Sequence, residues 1–199
     1  MNTSSTRRRR TVERSTKSIA TLLVITLATT LGCAITTTER LGLGPVKTVG
    51  HVELQRYLGT WYEIARFPQS FQEGCVASTA TYTLRDDGLI DVLNRCRRET
   101  LDGEERSAEG LARVVDEETN AKLEVTFFLF FWGEYWIIDL AEDYGWAVVG
   151  HPSRDYLWIL SRTPQMDAEV YAGILQRLDA QGYETEHLYV TPQVGTDTG

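Results

Sequence analysis

Gly59-Thr60-Trp61-Tyr62-Glu63-Ile64-Ala65-Arg66, answered far downstream by Arg154-Asp155-Tyr156-Leu157-Trp158-Ile159-Leu160-Ser161-Arg162, decides the fold. In the first stretch Gly59 supplies a turn that residues with a side chain resist, and it delivers Trp61 into an extended segment. The second stretch alternates and ends on Arg162, whose cation can lie across an indole face. A tryptophan from an early strand with an arginine stacked on it from a late one would shut the floor of a small barrel. The opposite end is then free to stay open. Gly59, Trp61 and Arg162 are therefore expected to be structural, and none of them to touch a ligand.

Outward from these stretches, short runs of period-two alternation are broken by turn chemistry at roughly ten-residue spacing. The strands predicted are Trp61 to Phe67, Val76 to Leu84, Leu89 to Arg97, Arg106 to Val115, Lys122 to Phe131, Tyr135 to Leu140, Trp146 to Gly150 and Tyr156 to Arg162. Asp86-Asp87-Gly88, Asp102-Gly103, Gly133-Glu134 and Asp143-Tyr144-Gly145 are turn formers between them. Short links force sequential antiparallel neighbours, so the expected fold is all-β: an eight-stranded antiparallel up-and-down barrel, closed and without edges. After the eighth strand the period lengthens. Asp167 can cap a helix that carries Val170, Ile174, Leu175 and Leu178 on one side, and Gly182 can end it. This helix should pack on the outside of the barrel, followed by a short strand at Leu188 to Val190.

Alternation assigns the inner face of several strands. Leu123, Val125 and Phe127 oppose Lys122, Glu124 and Thr126, so the first set points in; Ser78, Ala80, Tyr82 and Leu84 point in by the same argument. From Tyr135 to Leu140 both faces are apolar apart from Asp139, and alternation does not decide. Gly110 and Ala112 leave space within the wall.

From about Leu54 to Pro192 these motifs resemble the lipocalins, specifically their bacterial outer-membrane lipoprotein branch and apolipoprotein D. The second motif departs from the usual Thr-Asp-Tyr by having Arg154 before Asp155-Tyr156. The resemblance implies ligand-facing aromatics at Tyr82, Phe127, Tyr135 and Trp158. It also implies a carrier of fatty acids, lysophospholipids or similar amphiphiles that acts in envelope lipid maintenance or stress. Burying about ten methylenes at roughly 0.8 kcal/mol each, less the cost of immobilisation, corresponds to roughly micromolar affinity and broad selectivity.

The chain has 199 residues, 42% of them hydrophobic and 24% charged, a composition that suits one globular domain and neither disorder nor a multi-span membrane protein. Residues 1–32 read as a signal peptide: Arg7 to Arg10, Arg14 and Lys17 precede the apolar run Ile19 to Leu31. That run, about 20 Å as a helix, is too short to span a bilayer. Gly32-Cys33 resembles the end of a bacterial lipobox, although Thr30 and Leu31 stand in swapped roles. An ordinary signal peptide with Cys33 incidental is the alternative. Acylation of Cys33, with Ala34 after it, implies an outer-membrane anchor with the domain facing the periplasm. Residues 33–50 are expected to be a tether, 51–192 the domain and 193–199 a tail. Loss of residues 1–32 would leave 14 Lys and Arg against 27 Asp and Glu, a net charge of −13, which excludes nucleic acid as a partner.

Cys75 and Cys96 flank the predicted hairpin of strands two and three, and an oxidising compartment favours a disulfide between them. Simple pairing puts them two positions out of register, so a bulge must close the gap; two reduced cysteines, or one reactive thiol, are the alternative. His51, His151 and His187 share no metal-ligand spacing with one another, and no cofactor motif is present. The chain is read as a binding protein rather than an enzyme. The rivals are a lipid-modifying enzyme using Cys96 or Glu63, and an envelope interaction module with a vestigial pocket.

Overall fold

The computed structural model describes Met1, residues 42–128 and residues 131–195. The expected signal segment and the acylation at Cys33 lie outside the described residues. Eight strands form the barrel: β1 (Gly59–Arg66), β2 (Cys75–Leu84), β3 (Ile90–Arg98), β4 (Glu105–Val114), β5 (Lys122–Thr126), β6 (Gly133–Leu140), β7 (Trp146–Gly150) and β8 (Leu157–Ser161). Each pairs antiparallel with the next, and β1 also pairs with β8, so the ring closes. A short helix α1 (Leu54–Tyr57) precedes β1, while helix α2 (Ala168–Ala180) and strand β9 (Tyr189–Val190) follow β8. Because the strands run up and down in turn, one end of the barrel carries the β2–β3, β4–β5 and β6–β7 turns and the other the β1–β2, β3–β4, β5–β6 and β7–β8 loops. The first end is the floor and the second the mouth.

Two apolar layers hold the fold. The inner one, within the barrel, includes Trp61, Tyr82, Ile90, Val92, Leu123, Ile137, Val149 and Leu160; the outer one places Ile64, Ile138, Val148, Leu157 and Ile159 under Ile174 and Leu178 of α2. Asp167 caps α2 by accepting from the N–H groups of Glu169 and Val170. Gly182, at φ +81°, ends it, with the Tyr183 N–H donating back to the Leu178 carbonyl. Val170 departs from the expectation: it is exposed at the first turn of α2, and Tyr171 packs against the outer layer instead.

Three bulges correct the period-two reading. In β6 the register shifts between Ile137 and Asp139. Tyr135 and Ile137 therefore face in, while Asp139 turns outward and accepts from Arg177 of α2 at 2.7 Å. In β1 the shift between Glu63 and Ala65 turns Glu63 and Arg66 to the same side. In β2 it falls between Val76 and Thr79, with Ala77 at φ +48°; Cys75 pairs with Arg98, two positions from Cys96, yet the two cysteines are bonded at a Cα separation of 5.4 Å.

The fifth strand is shorter than expected. It stops at Thr126, whose hydroxyl accepts from the Phe128 N–H at 3.2 Å and turns the chain out of the sheet. Phe127, Phe128, Phe131 and Trp132 after it lie outside any strand. Part of the expected tether is also docked: Val46 is buried beneath α2 and the Val49 N–H donates to the Ile137 carbonyl at 3.0 Å. Gln193, expected in the tail, is 2% exposed and donates to the carbonyls of Glu63 and Ser78, bridging the gap where β1 and β2 part.

Candidate ligand-binding site

The floor is sealed by Trp61, which has no exposed surface and donates its indole N–H to the Tyr57 carbonyl at 2.8 Å. Arg162 lies 3.7 Å over the Trp61 ring and donates to the carbonyls of Arg56, Leu58 and Thr60. One guanidinium thus covers the indole and satisfies carbonyls at the end of α1 and the start of β1. Gly59 makes the join: it sits at φ +89°, and a Cβ there would stand 3.5 Å from Arg162 Nη1.

Above the floor, three phenols meet inside the barrel. The Tyr135 hydroxyl lies 2.8 Å from that of Tyr57 and 2.9 Å from that of Tyr82. Burial pushes the Tyr82 phenol up to about 12, and burial is also the largest cause raising Tyr57 and Tyr135, so all three stay neutral at ordinary pH. Three hydroxyls joined by two hydrogen bonds leave one O–H proton over. Tyr57 was not foreseen from the sequence.

The other two expected aromatics stand nearer the mouth, apart from the tyrosines. Trp158 faces inward beside Val149 and donates its N–H to Gln72 Oε1 at 2.9 Å. Phe127 lies beyond the end of β5, its ring against the inner side of Gly110, where an added Cβ would come within 2.8 Å of it. Phe127 is 36% exposed, and Ala108 on the inner register of β4 is also exposed, so the wall formed by β4 and β5 is uncovered toward the mouth.

Across from that wall a polar cluster braces the mouth. Glu63 accepts from Arg66 Nη1, from Gln72 Nε2 at 2.8 Å and from the Thr191 hydroxyl at 2.6 Å, while Arg66 also donates to the carbonyls of Gln72 and Cys75. Both charges are buried and paired, so the cluster ties the β1–β2 loop to β1 and to the C-terminal segment. Beside it, outside the lumen, a cleft of about 410 Å³ runs between Arg66, Pro68, Glu73, Glu99 and Tyr189. Of the two residues named for an enzyme, Cys96 is bonded to Cys75 and has no free thiol, and Glu63 is buried and accepts three hydrogen bonds. Among the described residues no group of three or more His, Cys, Asp or Glu could hold a metal ion.

A closed eight-stranded antiparallel meander sealed at one end by an arginine-covered tryptophan is an architecture for which lipocalins are the known example. The chain belongs to the lipocalin family: residues 52–193 match the lipocalin-like domain. It is 42% identical to the outer membrane lipoprotein Blc of Escherichia coli over 76% of this chain and 85% of that one. With temperature-induced lipocalin-1 of Arabidopsis thaliana it shares 41% identity over 76% and 84%, and with apolipoprotein D of Bos taurus 34% over 87% and 94%. Insecticyanin from the tobacco hornworm Manduca sexta has the same fold, with a TM-score of 0.60 at 20% identity over 75% of this chain and 85% of that one.

Proposed function

We propose that the protein is a membrane-tethered carrier that takes the acyl chain of a fatty acid, lysophospholipid or similar amphiphile into the barrel, in the bacterial outer membrane, in the service of envelope lipid maintenance. The observation that carries this reading is the asymmetry of the lumen. Trp61 and Arg162 shut one end, whereas Phe127, Ala108 and Trp158 face inward near the other, and Phe127 and Ala108 are exposed there. Apolar walls hold an alkyl chain by burial alone, without directional bonds, so chain length counts for more than chemical detail. The spare tyrosine proton deep in the barrel offers a hydrogen bond to an amphiphile's polar group. Support for the tether comes from Cys33 after a signal-like leader and from likeness to proteins named outer membrane lipoprotein.

The test is a titration with a fluorescent fatty acid, competed with unlabelled lipids, on the chain and on Ala108→Trp. Ala108 is exposed and lies on the inward register of β4 opposite Asn94, so the added indole obstructs the mouth without disturbing the core. The expected result is roughly micromolar binding, weakened by about tenfold or more in Ala108→Trp. Equal affinity in the two proteins, or no displacement by any lipid, would sink the carrier.

A further inference from the structure

We infer that Arg98 and Arg106, with Asn94 beside them, form an anion site at the rim of the barrel, which takes the carboxylate or phosphodiester of an amphiphile whose alkyl chain lies in the lumen. This narrows the ligand of the carrier reading, on which it rests, to an amphiphile with one negative charge at its head.

The register places these side chains. Ile90 and Val92 of β3 belong to the inner apolar layer, and β3 pairs with β4 without a shift from Ile90 opposite Ala112 to Arg97 opposite Glu105. Period two therefore carries the inward face on through Asn94 and Cys96 to Arg98, and along β4 through Gly110 and Ala108 to Arg106. The ladder runs to its end, where the Arg98 N–H donates to the Glu104 carbonyl at 3.0 Å. Arg106 lies opposite Cys96, so Asn94 and Arg98 are its diagonal neighbours on that face, within reach of long side chains. Both arginines are exposed, at the mouth end of their strands.

What marks the pair is that nothing satisfies it. Eleven arginines lie among the described residues, and nine of them are engaged by a carboxylate or a carbonyl. The other two are Arg98 and Arg106, which have no side-chain hydrogen bond, ion pair or ring contact among the described residues. The outward arginines of β3 show the contrast: Arg95 and Arg97 share Glu105, at 3.8 and 3.5 Å. A chain with 28 acidic residues against 20 basic ones has carboxylates to spare, yet two neighbouring guanidiniums at the entrance of the lumen keep their donors open. A guanidinium fork fits the paired oxygens of a carboxylate or a phosphate.

The surrounding charge sets the valence. Glu104 stands opposite Arg98 without pairing with it and leaves this face with a surplus of one positive charge, while Glu99, at φ +62°, turns to the outer cleft beside Gly74. One negative charge is matched there and a second is repelled. Arg106 lies about 14 Å along β4 from Gly110, which is level with Tyr82, so an alkyl chain fits between the rim and the tyrosines. The tyrosines offer one spare proton but no charge, and an ionised head drawn down to them would lose its water for a single hydrogen bond. The charge therefore stays at the rim while the chain enters.

The experiment is calorimetric binding to the full chain of two matched pairs: dodecanoate against dodecanol, and lysophosphatidylglycerol against the monoacylglycerol of the same chain. The expected result is that each anion binds about tenfold or more tightly than its neutral partner, by a margin that shrinks with added salt. Arg98→Gln with Arg106→Gln should abolish the margin by weakening the anions alone. Arg98→Lys with Arg106→Lys should keep most of it, and Arg95→Gln with Arg97→Gln, on the outward face, all of it. Equal affinity of anion and neutral ligand for the unaltered chain, or a margin that survives the double Gln change, would overturn the proposal and leave the carrier standing. Loss of the neutral ligands along with the anions in the Gln variant would make the arginines structural and overturn it as well. Failure of all four ligands to bind the unaltered chain would overturn the carrier and this site together. Millimolar inorganic phosphate, set against chloride of the same ionic strength, should leave the anions bound; competition that spares the neutral ligands would assign the site to a free anion and end the headgroup reading.

Discussion

The floor and the mouth of this barrel are held by different chemistry. The floor is a packed apolar plug, Trp61 beneath the Arg162 guanidinium, whose neighbouring carbonyls are satisfied. At the mouth β1 and β2 no longer pair beyond Tyr62 and Thr79, and the chain is fastened there by a disulfide, a buried ion pair and the Gln193 bridge. The difference teaches where the apolar surface has gone. At one end it is spent on stability; at the other it is left facing the lumen and the surroundings, where it can bind.

Trp61→Ala gives the sharpest break in this contrast. Removing a fully buried indole should cost about 3–5 kcal/mol, read as a fall in the urea midpoint at unchanged slope. A loss under about 1 kcal/mol would mean that the floor is not the keystone. Replacing Cys75 and Cys96 together by alanine opens a loop with a sequence separation of 21 and should cost about 3 kcal/mol, loosening the mouth first. Hydrogen exchange that rises in the first residues of β2 before it rises near Gly59 would sharpen the contrast; the reverse order would undo it.

Alkali probes the tyrosines above the floor. The Tyr82 phenol is raised from 10.0 to about 12 in the folded state, so the unfolded chain gives up this proton first. The stability that the group contributes is thus complete below about pH 10 and is lost as pH rises from there toward 12, on the order of 2 kcal/mol. Tyr82→Phe should flatten that part of the stability curve; an unchanged slope would mean that the phenol titrates normally. The smallest expected effect is at the loop. Phe128→Ser with Phe131→Ser should change stability by less than about 0.5 kcal/mol, because neither ring supports the fold.

Much of this was legible in the chain itself. Glycine and aspartate turns at regular spacing, alternation in β2 and β5, and the cap at Asp167 each belong to a local pattern, and the barrel with its outer helix follows from them. What escaped was whatever a bulge or a distant contact decides. Asp139 shares a parity with Tyr135 and Ile137, yet the shift at Ile138 turns it outward to Arg177. The five apolar residues from Phe127 to Phe131 read as strand because a period-two count does not see a hydroxyl turning the chain away. Tyr57 sits on a four-residue helix, too short to show a period, and Gln193 acquires its role only when the last segment returns between β1 and β2. The four expected aromatics share the interior in two places: Tyr82 and Tyr135 meet with Tyr57, while Phe127 and Trp158 stand toward the mouth.

The central claim is that the lumen is a lipid compartment, and mass spectrometry of organic extracts from protein purified without detergent tests it most directly. The account predicts a mixture of fatty acids or lysophospholipids of varied chain length, approaching one molecule per barrel and depleted in Ala108→Trp. Extracts free of lipid, from protein that also takes up none when it is offered, would contradict it.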